Sequence, residues 1–260
     1  MCLEMGIIMI SIKGEHEIEL MRHAGMLVSK MHKFIKPYIK EGITTKELDK
    51  LCTKFIEEND GVATCIGYEG YPCALCTSVN DTVVHGIPDD YKLKNGDIIT
   101  IDVVIGYKGY QGDAAWTYAV GEVDDDKKYL MEHTEKALYE GIKQVQPGNR
   151  IGDISHAVET YAHHHKLGVV EELCGHGIGT DMHEDPEVPN FGEKNTGPRL
   201  KPGMVICIEP MLTFGKRYIY VEDDGWTIKT EDGLPAAHYE HTVLVTEDGY
   251  EILTPRLDSE

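Results

Sequence analysis

Two aspartates lie in one strongly β-forming stretch, and their spacing could place two carboxylates together. Asp102 follows a run of β-branched residues and Asp113 follows a glycine-containing centre, so the stretch 98–116 is typical of a β-hairpin. If the loop is Tyr107 and Lys108, Asp102 lies directly opposite Asp113, with Cβ atoms roughly 5 Å apart. Because facing carboxylates repel each other, this register predicts a divalent cation between them. The alternative is another register in which one aspartate faces solvent.

Two histidines flank a glycine-rich bend in the second half of the chain. His176 and His183 lie within the segment 174–186, where glycine occupies positions 175, 177 and 179. Glycine at alternate positions argues against a helix and lets the backbone lie close to a ligand. The two imidazoles could therefore serve one site from different sides of the bend, and a structural role for each is the alternative.

Two glutamates stand at the ends of apolar strand-like runs. Glu209 follows the run 204–208 and precedes Pro210, and Glu240 precedes the run 241–245. A carboxylate in such a place is costly unless it is paired or coordinated. Four carboxylates and one imidazole beside strands suit two divalent ions that share bridging ligands. These five residues are Asp102, Asp113, His176, Glu209 and Glu240.

Helical patterns surround the strand-like segments. Apolar spacing predicts a helix over 15–36, and the capping box of Thr44 with Glu47 predicts a second helix that ends near residue 58. In the second half, helices are expected over about 124–145 and about 153–166. The order of two helices followed by strands thus occurs twice, which predicts two similar halves with a site at their junction.

The composition makes two classes of partner poor candidates. A formal net charge of -20 over 260 residues repels phosphates and anionic headgroups, so nucleic acid and membrane surfaces are poor candidates. Seven cysteines without a disulfide-like framework favour a reducing, cytoplasmic setting. The apolar start over 1–10 lacks a basic region and a cleavage site, and it is not expected to be a signal peptide.

Seven short motifs together resemble the type I methionine aminopeptidases of peptidase family M24. They are Val84-His85-Gly86-Ile87-Pro88, Ile101-Asp102, Gly112-Asp113, Gly175-His176-Gly177-Ile178-Gly179, His183-Glu184, Ile208-Glu209-Pro210 and Tyr239-Glu240-His241-Thr242. The resemblance extends from about Ile18 to Thr254 and lacks the helical insert of type II enzymes. It implies an α/β (α+β) pita-bread fold, an internally duplicated antiparallel sheet with helices outside. A segment 1–14 would precede one catalytic domain, 15–260, with pseudo-symmetric halves of about 15–121 and 122–254.

The resemblance also assigns roles to the candidate residues. Carried over, the ligands of two divalent ions (Co, Mn, Fe(II) or Zn) are Asp102, Asp113, His176, Glu209 and Glu240, with Asp113 and Glu240 bridging. A metal-bound hydroxide would attack the carbonyl after the first residue. Glu209 would be both ligand and proton carrier, and His183 would donate to the oxyanion. His85 would hydrogen-bond around the scissile amide and the leaving amine.

A methionine pocket is implied by further positions of the same resemblance. Its lining would be Cys65, Tyr68, Tyr71, Cys76, Met182 and Trp226. Sulfur atoms and aromatic faces suit a thioether, although Met182 stands where the family has an aromatic residue. The family also holds a monovalent cation near the position of Asn80.

The implied function is removal of the N-terminal methionine from nascent proteins when the second residue is small and uncharged. The enzyme would be a cytoplasmic monomer that meets its substrates at the ribosome. One alternative is an Xaa-Pro aminopeptidase or dipeptidase of the same fold, which usually has an N-terminal domain for which the residues before Glu15 leave no room. Another is a non-enzymatic binding protein, but such relatives typically lose ligands, and all five are present here.

Overall fold

Helices and strands follow one another in two rounds along the chain. The computed structural model describes residues 10–257. The prediction that residues 1–10 are not a signal peptide therefore lies outside that range for residues 1–9. The helices are α1 Glu15–Ile35, α2 Thr45–Glu58, α3 Asp125–Ile142 and α4 Ile151–His164, with short 3-10 turns at Lys36–Tyr38 and Tyr68–Gly70. Among residues 10–257, none of the helices combines the length and the apolar composition of a membrane-spanning segment. The predicted order of two helices followed by strands is confirmed in both rounds.

The strands are short except for one hairpin, and all of their recorded pairings are antiparallel. In the first round they are β1 Val62–Ala63, β2 Cys76–Val79, β3 Thr82–Val84, β4 Ile98–Tyr107 and β5 Tyr110–Ala119. In the second round they are β6 Gly168–Val169, β7 Cys174–Gly177, β8 Glu184–Pro189, β9 Val205–Ile208, β10 Met211–Thr213, β11 Ile219–Val221, β12 Ile228–Thr230, β13 Ala236–His238, β14 His241–Val245 and β15 Tyr250–Ile252.

The start of α2 shows how sequence dictates local structure. Thr44 Oγ1 accepts a hydrogen bond from Glu47 N at 3.1 Å, and the Glu47 carboxylate accepts one from Thr44 N at 2.8 Å. This reciprocal capping box satisfies amide groups that would otherwise lack partners in the first turn. The predicted helix start is therefore confirmed, and the predicted ends of the four helices lie within three residues of the observed ones.

The hairpin of β4 and β5 has a different register from the predicted one. Tyr107 pairs with Tyr110, so the loop is Lys108 and Gly109, with φ values of 48° and 85°. A type I′ turn requires positive φ at both central residues, and glycine adopts it without strain. Gly106 lies in the strand opposite Gln111, where a Cβ would lie 2.9 Å from Gln111 Oε1.

The shift in register changes how the two aspartates of the hairpin face each other. Asp102 pairs with Ala115 and Asp113 pairs with Val104, so the prediction of a directly opposite pair is wrong. Residues two apart on a strand point to the same face, so both carboxylates still lie on one face as diagonal neighbours. The two carboxylates therefore still repel each other, but over a longer distance than in the predicted register.

A five-stranded sheet places the two glutamates side by side. Its strand order is β15-β14-β9-β7-β8, and His241 of β14 pairs with Ile208 of β9. Glu240 and Glu209 are the next residues outward in this antiparallel register. The end of β9 and the start of β14 consequently bring both carboxylates to the same edge.

Hydrogen bonds fasten the hairpin of the first round to β14 of the second. Glu240 N donates to Ala115 O at 2.7 Å. Asp113 N donates to Thr242 Oγ1 at 3.0 Å, and that hydroxyl donates back to Asp113 O at 2.8 Å. These bonds bring the aspartates of β4 and β5 to the glutamates beside β9 and β14, across the junction where sequence analysis predicted a site.

Candidate active site

Four carboxylates and one imidazole converge on a single cavity of about 420 Å³. Its lining includes Asp102, Asp113, His176, Glu209 and Glu240. His176 Nε2 lies 3.8 Å from Asp113 Oδ2 and 3.5 Å from Glu209 Oε1. The structure therefore brings together all five residues that sequence analysis proposed as metal ligands.

Glycines on both sides of His176 allow its strand to fit between neighbours. A Cβ at Gly175 would clash with the carbonyl oxygen of Cys207, and one at Gly177 would clash with that of Asp185. The glycine-rich sequence thus lets β7 lie close to β9 and β8. His176 Nδ1 is 2.9 Å from Gly177 O and must donate to this carbonyl, so the neutral ring presents the lone pair of Nε2 to the carboxylates.

Burial and mutual repulsion raise the pKa values of the clustered carboxyl groups. Burial raises the pKa of Asp102 to about 7. Burial, followed by the charges of Glu240 and Asp102, raises the pKa of Asp113 well above its ordinary value. Burial also raises the pKa values of Glu209 and Glu240, with further increases from neighbouring carboxylates. In the same environment burial, with a smaller effect of His183, lowers the pKa of His176 to about 3.

The donor set fits a divalent cation. Asp113 Oδ1 and Glu240 Oε1 are buried and have no hydrogen-bond partner among the described residues. Buried polar atoms are normally paired, so two unpartnered carboxylate oxygens on one cavity favour a positive partner. The lone pair of His176 also faces carboxylates, an arrangement that is repulsive without a cation between them. Oxygen ligands with one imidazole suit Mn, Fe, Co or Zn.

Two further side chains of this centre were missed by sequence analysis. Cys207 offers a sulfur atom to a group in which one ligand atom each of Asp113, His176, Cys207 and Glu240 lies within 4.8 Å of the others. His238 is buried, and its Nε2 lies 3.7 Å from Glu209 Oε2. Each residue stands two positions before a predicted glutamate ligand. Because side chains two positions apart on a strand point to the same face, the sequence could have indicated both residues.

His183 and His85 lie in the same cavity, beside the carboxylates. The ring of His183 stands edge-on to that of His176, with centroids 4.3 Å apart, and its Nδ1 lies 2.7 Å from Tyr68 Oη. Solvent reaches His183 at the cavity mouth, but partial burial still lowers its pKa. Burial, with a smaller effect of His183, lowers the pKa of His85 to about 4. Both imidazoles are therefore neutral near pH 7.

An apolar compartment with sulfur and aromatic walls opens onto the carboxylates. All six residues of the predicted methionine pocket line the cavity: Cys65, Tyr68, Tyr71, Cys76, Met182 and Trp226. Tyr71 Oη lies 3.1 Å from the carbonyl oxygens of Leu75 and Gly86, and Trp226 packs edge-on against its ring. These contacts hold the pocket walls in place. Met182 is buried in the same cluster, so the departure from an aromatic residue leaves the wall apolar.

Asn80 lies outside this cavity and lines a separate cleft. Its φ is 52°, its Nδ2 donates to Asp97 Oδ1 at 2.8 Å, and its backbone oxygen accepts from Ala236 N at 2.9 Å. The structure therefore does not bring Asn80 to the predicted metal ligands.

Comparisons with known proteins agree with this geometry. Residues 19–247 match the model of metallopeptidase family M24. The chain is 48% identical over 246 residues to methionine aminopeptidase 1 of Bacillus subtilis, which covers 95% of this chain and 99% of the relative. It is 44% identical over 251 residues to methionine aminopeptidase of Escherichia coli K12, covering 96% and 95%. The crystal structure of methionine aminopeptidase from Rickettsia prowazekii superposes with a TM-score of 0.94 at 41% identity, covering 95% and 100%.

Proposed function

The chain belongs to metallopeptidase family M24, and on that premise we propose that its five clustered residues hold two divalent ions for peptide hydrolysis. Its fold is the pita-bread fold, and its activity is that of a metal-dependent methionyl aminopeptidase. The observation that carries the proposal is the convergence of four carboxylates and an imidazole beside an apolar, sulfur-lined pocket.

The ions would be held by Asp102, Asp113, His176, Glu209 and Glu240, all of which line the cavity, and Asp113 and Glu240 would be the ligands that both ions share. The unpartnered oxygens of the two shared carboxylates support this assignment. Bound divalent ions would lower the pKa of a coordinated water and polarise the scissile carbonyl. The ions would be Co, Mn, Fe(II) or Zn, since the ligand types suit each of them.

His183 is proposed as the donor to the developing oxyanion. If Tyr68 Oη donates to His183 Nδ1, the proton of the neutral ring resides on Nε2. That N–H would then be available to a substrate oxygen at the cavity mouth. His85 would hydrogen-bond around the scissile amide, and Glu209 would carry a proton to the leaving amine. The lowered pKa values of both histidines support roles as neutral donors.

The apolar compartment is proposed to bind the methionine side chain. Its lining is Cys65, Tyr68, Tyr71, Cys76, Met182 and Trp226. Because pocket and carboxylates share one cavity, a bound methionine would present its own peptide bond to the ligands. A small, uncharged second residue would be preferred, as in the removal of initiator methionine from nascent proteins.

The wider setting is also part of the proposal. Residues 15–260 would be one catalytic domain with halves of about 15–121 and 122–254, and a core cluster with members from both ranges supports this. The enzyme would act in the cytoplasm as a monomer, meeting nascent chains at the ribosome and binding no nucleic acid directly. The net charge of -20 and seven cysteines support this setting. A monovalent cation would bind near Asn80.

A two-peptide assay with metal analysis tests the proposed function. With Mn, Co or Fe(II) added, we expect rapid cleavage of Met-Ala-Ser, slow cleavage of Met-Lys-Ser and about two ions per chain at saturation. Equal rates on both peptides would contradict the proposed specificity. Turnover of Xaa-Pro peptides alone would favour a prolidase-type enzyme. Saturation at one ion would contradict the dinuclear centre.

A further inference from the structure

A buried ion pair joins the segment before α1 to the strand after His183. Lys13 Nζ lies 2.6 Å from Glu184 Oε2, and the two side chains are only 3% and 14% exposed. By contrast, the pair of Arg22 with Glu251 is 38% and 37% exposed. Exposed pairs contribute little to stability, whereas breaking a buried pair leaves an uncompensated charge.

Lys13 is itself held in place and packs beneath the β7–β8 turn, residues 178–183. Its backbone N donates to Gly203 O at 2.8 Å, which fixes the segment before α1. A Cβ at Gly179 would lie 2.6 Å from Lys13 Cε and would also clash with the Glu184 carboxylate. The absence of a side chain at Gly179 therefore allows the turn to close on the ion pair.

The opposite side of the β7–β8 turn is held by the hairpin. Gln111 N donates to Gly179 O at 2.9 Å, and Gln111 Nε2 donates to Thr180 O at 3.1 Å. Glu184 Oε1 also accepts from Asp181 N at 3.3 Å, so the carboxylate that binds Lys13 ties the turn internally. Met182 and His183 lie between these two attachments, and both line the cavity.

We propose that the ion pair of Lys13 with Glu184 positions the β7–β8 turn, and through it His183 and Met182. Lys13 is not among the residues that line the cavity, so it is a positioning residue. The inference rests on the proposed role of His183 as oxyanion donor. Without the Lys13 charge, the Glu184 carboxylate must rotate towards solvent. The β7–β8 turn would shift with Glu184 and displace His183. A displacement of about 1 Å can reduce a rate by about 100-fold.

A double-mutant cycle with His183 tests this positioning role. Lys13→Met keeps an unbranched stem as far as the position of Cε and removes the charged group, and Lys13→Arg keeps the charge. We expect Lys13→Met to lower kcat for Met-Ala-Ser by about 10- to 100-fold. In the His183→Ala background the same change should alter kcat by less than about twofold, because the group that it positions is gone. Lys13→Arg should restore most of the activity, and metal content should match wild type throughout.

Arg22→Met is the matched control, because it breaks an ion pair that also joins the N-terminal region to a distant strand but touches no part of the turn. It should leave kcat unchanged. If Lys13→Met does not fold by circular dichroism, Glu184→Gln tests the same pair, since its amide oxygen can still accept from Asp181 N. The same cycle with His183→Ala is then measured.

Three other outcomes would contradict the positioning role of the ion pair. Equal losses with and without His183 would make the ion pair a general stabilising element and overturn the inference alone. A wild-type kcat for Lys13→Met would also overturn it. A wild-type kcat for His183→Ala would instead remove the proposed role of His183 and the inference with it.

Discussion

The proposed metal centre and the proposed methionine pocket are two walls of one cavity, but they differ in whether their polar atoms have partners. In the pocket, Tyr71 Oη contacts two carbonyl oxygens and Tyr68 Oη contacts His183. In the centre, oxygens of Asp113 and Glu240 have no partner among the described residues. The named polar atoms of the pocket are thus satisfied within the protein, whereas those two oxygens of the proposed centre would be satisfied by a bound cation.

This difference predicts that substitutions at the centre and in the pocket change different measured quantities. Changes at the centre should alter metal content and kcat, because the cation and the chemistry depend on the same carboxylates. Changes at pocket residues other than Tyr68, which also contacts His183, should alter KM and side-chain preference, because these walls would contact only the part of the substrate that does not react. A variant at one of these residues that also lost metal or kcat would contradict the separation.

Asp113→Asn should have the largest effect. The amide cannot replace a bridging carboxylate. We therefore expect kcat to fall further than it does when one oxyanion donor is lost, which lowers kcat by about 10²- to 10³-fold. Bound metal should fall with it, while circular dichroism stays unchanged. Metal analysis and Met-Ala-Ser turnover check both points. Asp90→Asn, at an exposed carboxylate, is the control and should behave as wild type. Wild-type activity in Asp113→Asn would show that this carboxylate is not a ligand.

His183→Ala should reduce kcat by about 10²- to 10³-fold with little change in metal content. Tyr68→Phe should have a smaller effect, about 10-fold, because it removes only the contact that orients the imidazole. Steady-state kinetics with metal-saturated enzyme measure both. His164→Ala, an exposed histidine at the end of α4, is the control. A loss of metal in His183→Ala would place this residue in the centre instead of beside it.

Met182→Ala tests the pocket and should raise KM for Met-Ala-Ser by about 10-fold with kcat nearly unchanged, in keeping with the modest discrimination of apolar pockets. Met182 is buried in the pocket cluster. Met204→Ala is the matched control, because Met204 is also buried but does not line the cavity. It should lower the melting temperature without changing KM. Equal KM values for the two variants would contradict the placement of the methionine side chain.

The family, fold and activity expected from the sequence are confirmed, and local patterns explain why. The capping box of Thr44 and Glu47 depends only on neighbours in the chain, so it is readable without the fold. Glu209 and Glu240 were found because a carboxylate at the end of an apolar strand demands a partner. The individual roles of the site residues came from resemblance to the family and stay predictions.

The remaining differences have two physical causes. The predicted hairpin register is wrong although the signal is local: Lys108 and Gly109 take the positive φ values of a type I′ turn, which glycine adopts without strain, whereas the predicted loop of Tyr107 and Lys108 contains no glycine. Other contacts depend on the whole fold: Lys13 and Glu184 are 171 positions apart, and no periodicity links them.

The smallest expected effect concerns stability and gives the sharpest test of the incomplete centre. In metal-free protein, burial raises the pKa of Asp102 to about 7 from an ordinary value of 3.8. Between these values the folded protein keeps a proton that the unfolded chain has lost, so the free energy of unfolding falls as pH rises through the window. Asp102→Asn removes this dependence, and it also removes a charge that raises the pKa values of Asp113 and Glu209.

After dialysis against EDTA, Asp102→Asn and wild type should therefore melt at similar temperatures near pH 4, and the variant should melt a few degrees higher at pH 8. A difference of about 1 kcal/mol corresponds to about 2–4 °C for a chain of this size. The histidines with lowered pKa values are common to both proteins, so their contribution cancels in the difference. With saturating Mn the order should reverse, because wild type keeps every ligand and binding stabilises the folded state. A variant that is less stable than metal-free wild type at pH 8 would mean that the carboxylates are already satisfied without a cation, and the contrast between centre and pocket would fail.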